Sequence, residues 1–265
     1  ILLSIISFSV SLYSQAVLEA NGPGNTYELI TSVFAPGHDT TAVEDPQCIH
    51  PSFGRHITEV WDATLNQYVF EFYIHVTPDN DRCIAFDRQR VEIKTYDASP
   101  DSLKGVTGET VTYKWKFKLP VGFQPSTSFT HIHQIKAVGG NDGDPLFTLT
   151  PRKGSPNKLE LIHDNTTKVA IVDLSLFEGV WVECKEVVYV DSIKGRYSLT
   201  IKKVSDGTTI LSYTNNNLMT IRSDNTFIRP KWGLYRSLDH PTDLRDESMR
   251  FAGFYIGEGT TLTTT

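Results

Sequence analysis

The chain has 265 residues, 39% of them apolar and 21% charged, and its 14 Phe, 11 Tyr and 4 Trp are far more aromatic surface than an unfolded chain carries. Its 18 Gly and 13 Pro are ordinary and exclude collagen-like and low-complexity architectures. The net charge of −6 speaks against a nucleic-acid or membrane-surface binder, which would be basic, so neither partner is expected.

Residues 1–15, ILLSIISFSVSLYSQ, form an apolar run ending in small residues, the length of a signal-peptide core and too short to span a bilayer. They read as a residual signal peptide cut near Ser14–Gln15, and residues 16–265 as one domain without repeat or linker. Secretion, extracellular or periplasmic, is therefore expected. Three cysteines fit an oxidising compartment with one disulfide and one spare thiol. Cys48 and Cys83 lie in loop-like surroundings, whereas Cys184 alternates with Val182 and Val188 as a core residue does. There is no CxxC pair and no Cys/His array, so the sequence carries no structural-zinc signature.

Period-2 alternation recurs along the chain, and helical periodicity is scarce. Phe70, Phe72, Ile74 and Val76 share one strand face, with Glu71, Tyr73 and His75 on the other. In DRQRVEIKTY, Arg88, Arg90, Glu92, Lys94 and Tyr96 point one way, and Gln89, Val91, Ile93 and Thr95 the other. Glu92 can therefore brace Arg90 or Lys94. Tyr113, Trp115, Phe117 and Leu119 alternate with Lys114, Lys116 and Lys118, lysines that suit an edge strand guarded against aggregation. In FTHIHQIKAV, His131 and His133 share one phase, and Gln134 and Lys136 the other, which implies a bulge or a split between faces.

The only helical turn expected lies around Ser175–Phe177. Tyr197, Leu199 and Ile201 mark another half-buried strand, and Asp206-Gly207 after it is a hairpin signal. In FIRPKWGLYR, Ile228, Pro230, Trp232 and Leu234 form one face, and Phe227, Arg229, Lys231, Gly233 and Tyr235 the other. Gly233 there suggests a groove floor, and Pro230 an edge or a bulge. The tail GTTLTTT reads as frayed or as the stump of an extension. Many strands joined by short turns predict an all-β fold, a sandwich or jelly roll, with Tyr113, Trp115, Phe117, Ile228, Trp232 and Leu234 in the core.

The three polar strands offer Arg, Gln, His, Lys and Tyr with few carboxylates. Glycosidases need two acids flanking the scissile bond, and no Glu-x-Asp-x-x-Glu strand is present. Cations and amide donors beside a tyrosine instead suit abstraction of a proton next to a carboxylate. Positive charge stabilises the enolate-like dianion, and the phenol transfers protons.

The order Arg90-Val91-Glu92-Ile93, Gln134-Ile135-Lys136 and Lys231-Trp232-Gly233-Leu234-Tyr235 resembles the jelly-roll polysaccharide lyases, a group that includes alginate lyases, glucuronan lyases and the heparin-lyase-I type. The resemblance implies a concanavalin-like β-jelly roll of two antiparallel sheets. It implies an enzyme cleaving a uronic-acid polysaccharide by β-elimination to 4,5-unsaturated uronate ends. Alginate lyases carry histidine where Lys136 stands; glucuronan lyases look closer there, so a glucuronic-acid polymer is favoured over alginate.

Tyr235, Gln134, Arg90 and His133 are the catalytic candidates. Lys136, His131, Lys231, Arg229, Arg88 and Lys94 are the substrate-binding ones. Arg229, Lys231 and Arg90 are expected near the Tyr235 phenol. The base stays open: Tyr235 itself, or His133, then His131. No cofactor is required; Asp142, Asp144, Asp164, Asp243, Asp246 and Glu247 are loop carboxylates that could hold a structural Ca²⁺. A monomer acting on an anionic polysaccharide is expected. A non-catalytic carbohydrate-binding module or lectin of the same fold is the alternative, and a glycoside hydrolase with unrecognised acids the third reading.

Overall fold

The computed structural model describes residues 15–39 and 42–259. Apart from Gln15 and Gly259, the leader expected over 1–15 and the tail from 259 lie outside the described residues. Alternating patterning becomes strand along most of the chain. In chain order these are β1 (Gln15–Leu18), β2 (Val43–Glu44), β3 (Ile57–Asp62), β4 (Gln67–Ile74), β5 (Arg88–Lys94), β6 (Thr110–Lys118), β7 (Thr130–Val138), β8 (Phe147–Arg152), β9 (Lys158–His163), β10 (Thr167–Asp173), β11 (Val182–Tyr189), β12 (Gly195–Lys203), β13 (Thr209–Leu218), β14 (Phe227–Ser237) and β15 (Glu247–Glu258). Two antiparallel sheets result, ordered β13-β12-β11-β6-β15-β4-β3 and β10-β9-β8-β7-β14-β5-β2. β1 joins the first sheet by pairing with the second half of β15, while β4 pairs with its first half. The fold is the expected all-β jelly roll.

The core lies between the sheets. Tyr113, Trp115 and Phe117 of β6 face Ile228, Trp232 and Leu234 of β14, and all six are buried. Trp232 is the centre of this contact, with ring centroids 5.0 Å from Phe254, 5.9 Å from Phe34 and 6.0 Å from Trp115. Truncating it to alanine should cost about 3–5 kcal/mol, the transfer and cavity cost of a buried aromatic. Cys48 and Cys83 form a disulfide, and Cys184 is a buried free thiol. The Asp206-Gly207 pair joins β12 to β13, which pair as an antiparallel hairpin.

Three local expectations are corrected. A nine-residue helix, α1 (Thr26–Phe34), buries Tyr27, Ile30 and Phe34, an apolar stripe too short to stand out. The helical turn expected near residues 175–177 is a single 3₁₀ turn, Leu174–Leu176. The lysine-bearing strand β6 is central, between β11 and β15, so its lysines do not guard an edge. Lys116 instead pairs with Glu183, Lys118 with Asp62, and Lys114 lies over the Tyr255 ring. Pro230 likewise sits on a central strand, close to a register shift against β7 between Trp232 and Tyr235.

Candidate active site

Strand order places the three polar motifs side by side, β7-β14-β5, although they are far apart in sequence. In register, Tyr235 lies opposite Arg90, Gly233 opposite Glu92, and Lys231 between Lys94 on one side and Gln134 on the other. Gly233 adopts φ +142°, and a Cβ there would come within 2.1 Å of the Val91 carbonyl oxygen. Only glycine permits this approach to β5, so its missing side chain serves backbone packing more than open groove.

Alternation breaks on β7. Ile132 and Ile135 join the core, while His133 turns inward with them, its ring 4.3 Å from that of Trp115. His131, Gln134 and Lys136 consequently share the outer face, where they line a cavity of about 260 Å³ with Arg88, Arg90, Phe129 and Tyr235. Gly143, Asp144, Pro145 and Asn165 complete its wall. The bulge-or-split expectation is met by both at once.

Beneath the cavity floor lies a dense charge network. Glu92, fully buried, accepts hydrogen bonds from Arg90 Nη1 at 2.5 Å, Gln134 Nε2 at 2.6 Å and Lys231 Nζ at 2.7 Å. Asp81 takes Arg90 Nε at 2.8 Å and Nη2 at 3.0 Å, a bidentate clamp. Glu44 of β2 binds Lys94 at 2.7 Å and Arg82 at 2.8 Å, and also pairs with Lys231 and Arg90. Burial disfavours the Glu92 carboxylate, but Lys231 and Arg90 outweigh it and hold its pKa at about 2. Burial pushes the Lys231 ammonium down to about 8 against the pull of Glu92 and Glu44. Arg82, Arg90, Lys94 and Lys231 share these three carboxylates, and buried Arg229 adds a further cation, so positive charge is in excess. Arg229 is buried over the Tyr96 ring, with Nε and Nη1 lacking a hydrogen-bond partner among the described residues.

Tyr235 sits on top of this network. The Arg90 guanidinium lies over its ring, 3.7 Å from the centroid, and Arg88 Nη1 donates to its hydroxyl at 3.0 Å. That donor and the guanidinium face together fix the phenol ring and its hydroxyl at the cavity. The His131 ring stands 5.9 Å from the Tyr235 ring. Its Nδ1 bonds the Thr150 hydroxyl at 2.7 Å, and that hydroxyl donates to Thr148 at 3.0 Å. Thr150 thus accepts from Nδ1–H, leaving Nε2 with its lone pair. Burial pushes His131 down to about 3, so this imidazole is neutral at neutral pH.

Four expectations about placement change. His133 bonds Glu186 of the opposite sheet at 2.9 Å and the Lys231 carbonyl oxygen, inside the core and away from the cavity. Lys94, Lys231 and Arg229 are absent from the cavity wall, being engaged with Glu44, Glu92 or Tyr96. Arg88 and Arg90, rather than Arg229 and Lys231, flank the phenol. Of the loop carboxylates that could hold Ca²⁺, Asp164 pairs with Arg222, Asp243 with Lys153, and Glu247 with Arg245. They form no cluster of three or more potential ligands among the described residues. Glu44, Asp81 and Thr150 stand in segments without a clustered polar motif, so they carry no sequence signal of the site.

No family model matches this chain, and no curated protein does. Solved structures do. An endo-β-1,4-glucuronan lyase from the fungus Trichoderma reesei superposes with TM-score 0.54 at 16% identity, over 77% of this chain and 87% of that one. A marine PL-14 alginate lyase from Aplysia kurodai gives TM-score 0.57 at 12% identity, over 91% and 97%. A polysaccharide lyase family 7 alginate lyase gives TM-score 0.52 at 14% identity, over 78% and 84%. At such identities the likeness is one of fold: the chain has the jelly-roll architecture of these lyases.

Proposed function

We propose that this protein is a polysaccharide lyase that cleaves a uronic-acid polymer, glucuronan before alginate, by β-elimination. The observation that carries this reading is the meeting of Tyr235, His131, Gln134, Arg88, Arg90 and Lys136 around one cavity, drawn from three separate strands. The excess of positive charge beneath and around it suits a polyanion despite the negative net charge of the whole chain. The disulfide supports an oxidising, extracellular or periplasmic setting.

In this reading the uronate carboxylate is met by Gln134, Lys136 and Arg88, which stabilise the dianion formed as the C5 proton leaves. The C4–oxygen bond then breaks, a C4=C5 double bond forms, and the departing oxygen takes a proton. In a β-1,4-linked glucuronate the C5 hydrogen and the C4 oxygen share one face of the ring. Tyr235 can therefore take the first proton and return it to the leaving oxygen. For a sugar with these groups on opposite faces, Nε2 of His131 is the base, replacing the core-facing His133. Arg90 acts through Tyr235: most of its N–H groups are held by Asp81, Glu92 and Glu44, and its flat face fixes the phenol ring.

Incubating the protein with glucuronan, alginate and heparin, and following the ultraviolet absorbance of the unsaturated uronate, tests the proposal. Absorbance growing with glucuronan is expected. Binding of a polymer with no product from any of them would refute the lyase and leave a lectin.

A further inference from the structure

At one end of the β3–β4 hairpin, outside the cavity, three histidines converge on one aspartate. His56 immediately precedes β3, His75 immediately follows β4, and the Tyr73 amide bonds the His56 carbonyl oxygen at 2.8 Å across the hairpin. His50 arrives from the segment after Cys48, and Asp79 from the turn after His75. Potential ligand atoms of all four lie within 4.8 Å of one another. Asp79 oxygens stand 2.8 Å from His50 Nδ1, 3.0 Å from His75 Nδ1 and 3.2 Å from His56 Nε2. These separations are close to the edge of a tetrahedron with metal–ligand bonds of about 2.0–2.1 Å, roughly 3.3 Å.

Asp79 can accept from His50 Nδ1, from His75 Nδ1 and from the His75 amide at 2.7 Å, but the His56 contact is not satisfied in this way. His56 is fully buried, and its Nδ1 bonds the Gly54 carbonyl oxygen at 3.0 Å, so Nδ1 carries the hydrogen. The lone pair of Nε2 then points at an Asp79 carboxylate oxygen 3.2 Å away, an arrangement that a cation between the two atoms would make attractive. A ligating histidine usually has its other ring N–H on a carbonyl in this way. The surroundings also suit a closed site. Phe53 packs on all three rings, with centroids 4.3 Å from His75, 4.8 Å from His56 and 5.4 Å from His50. Buried Gln89 donates to the Asp79 carbonyl oxygen at 2.8 Å, fixing the turn from behind.

We infer that His50, His56, His75 and Asp79 form a tetrahedral structural site for a transition-metal dication, Zn²⁺ by its ligand set. Three imidazoles and one carboxylate suit zinc, whereas Ca²⁺ requires six to eight oxygen ligands. With all four positions filled by protein, the site is structural rather than catalytic. It would pin the segment that runs on from Asp79 to Asp81, the residue that clamps Arg90. The inference stands on these four residues and does not depend on the lyase reading.

The test uses the full chain, stripped with a chelator and titrated with ZnCl₂ against a chromophoric competitor. Uptake of one Zn²⁺ per chain is expected, with a rise in the thermal midpoint that CaCl₂ at the same concentration does not produce. His50 and His75 are at the half-exposed rim, so His50→Ala and His75→Ala should fold. Each should weaken zinc binding by more than the ~10–100-fold that loss of an outer-shell partner costs. Co²⁺ bound to the unmutated chain should show the intense visible bands of a tetrahedral field, a readout that needs no variant. Failure of the stripped chain to take up Zn²⁺, an octahedral cobalt spectrum, or unchanged affinity in both variants would overturn the site.

Discussion

Replacing Tyr235 by phenylalanine separates chemistry from packing, because the structure makes the two effects differ in size. The ring stays: its contacts with the Arg90 guanidinium at 3.7 Å and the Phe129 ring at 5.0 Å need no hydroxyl. What is lost is one hydrogen bond, from Arg88 Nη1, and that guanidinium keeps its two bonds to Asp87. A net hydrogen bond to a charged group at a partly exposed position is worth about 1–2 kcal/mol at most, so urea unfolding should shift little. Turnover has no such substitute. Positioned acid–base catalysis contributes about 10²–10⁴-fold, which at roughly 1.4 kcal/mol per decade is about 3–5 kcal/mol of barrier. The assay is the rate of unsaturated-uronate formation from the best polymer, beside a denaturation curve of the same preparation. Near-normal turnover in a folded Tyr235→Phe protein would refute the assignment and make Tyr235 a stacking platform.

Arg90→Lys keeps the charge but loses the bidentate grip on Asp81 and the flat face over Tyr235; turnover should fall by about 10²-fold, the cost of a small misplacement, and wild-type rates would deny the positioning role. Glu92→Leu leaves Arg90 and Lys231 without their shared buried carboxylate and should cost about 3–5 kcal/mol in urea unfolding, whereas a loss below about 1 kcal/mol would mean the network is not needed for stability. Because the His131 pKa is depressed to about 3 from the usual 6.5, the unfolded chain binds the extra proton between these values. Its contribution to stability is therefore full above pH 6.5 and is lost as pH falls toward 3. Unfolding curves at stepped pH should show this decline, and His131→Gln should flatten it; parallel declines would reject the link. Reducing the Cys48–Cys83 bond, which spans a sequence separation of 35, should cost about 3–4 kcal/mol on the chain-entropy model, measured as a shift in the denaturation midpoint.

The sequence alone determined which residues line each face of most strands, because a side-chain period of two leaves a direct trace in hydrophobicity. Val91 and Ile93 inward with Arg90 and Glu92 outward, or Trp232 and Leu234 inward with Lys231 and Tyr235 outward, needed no coordinates. It also separated Cys184, in a core pattern, from the two loop cysteines. What it left undecided depends on contacts between distant segments. β7 breaks its own alternation, so whether His131 or His133 joins Gln134 was settled by the shifted register against β14 and by Glu186 reaching His133 from the opposite sheet. Glu44 enters the site because two residues of β2 pair with β5, an edge contact too short to leave a pattern. The histidines at 50, 56 and 75 share no periodicity; the β3–β4 hairpin and the turn at Asp79 bring them together. Local pattern records which way a side chain faces, whereas a site depends on which strands are neighbours, and pairing across the sheets decided that.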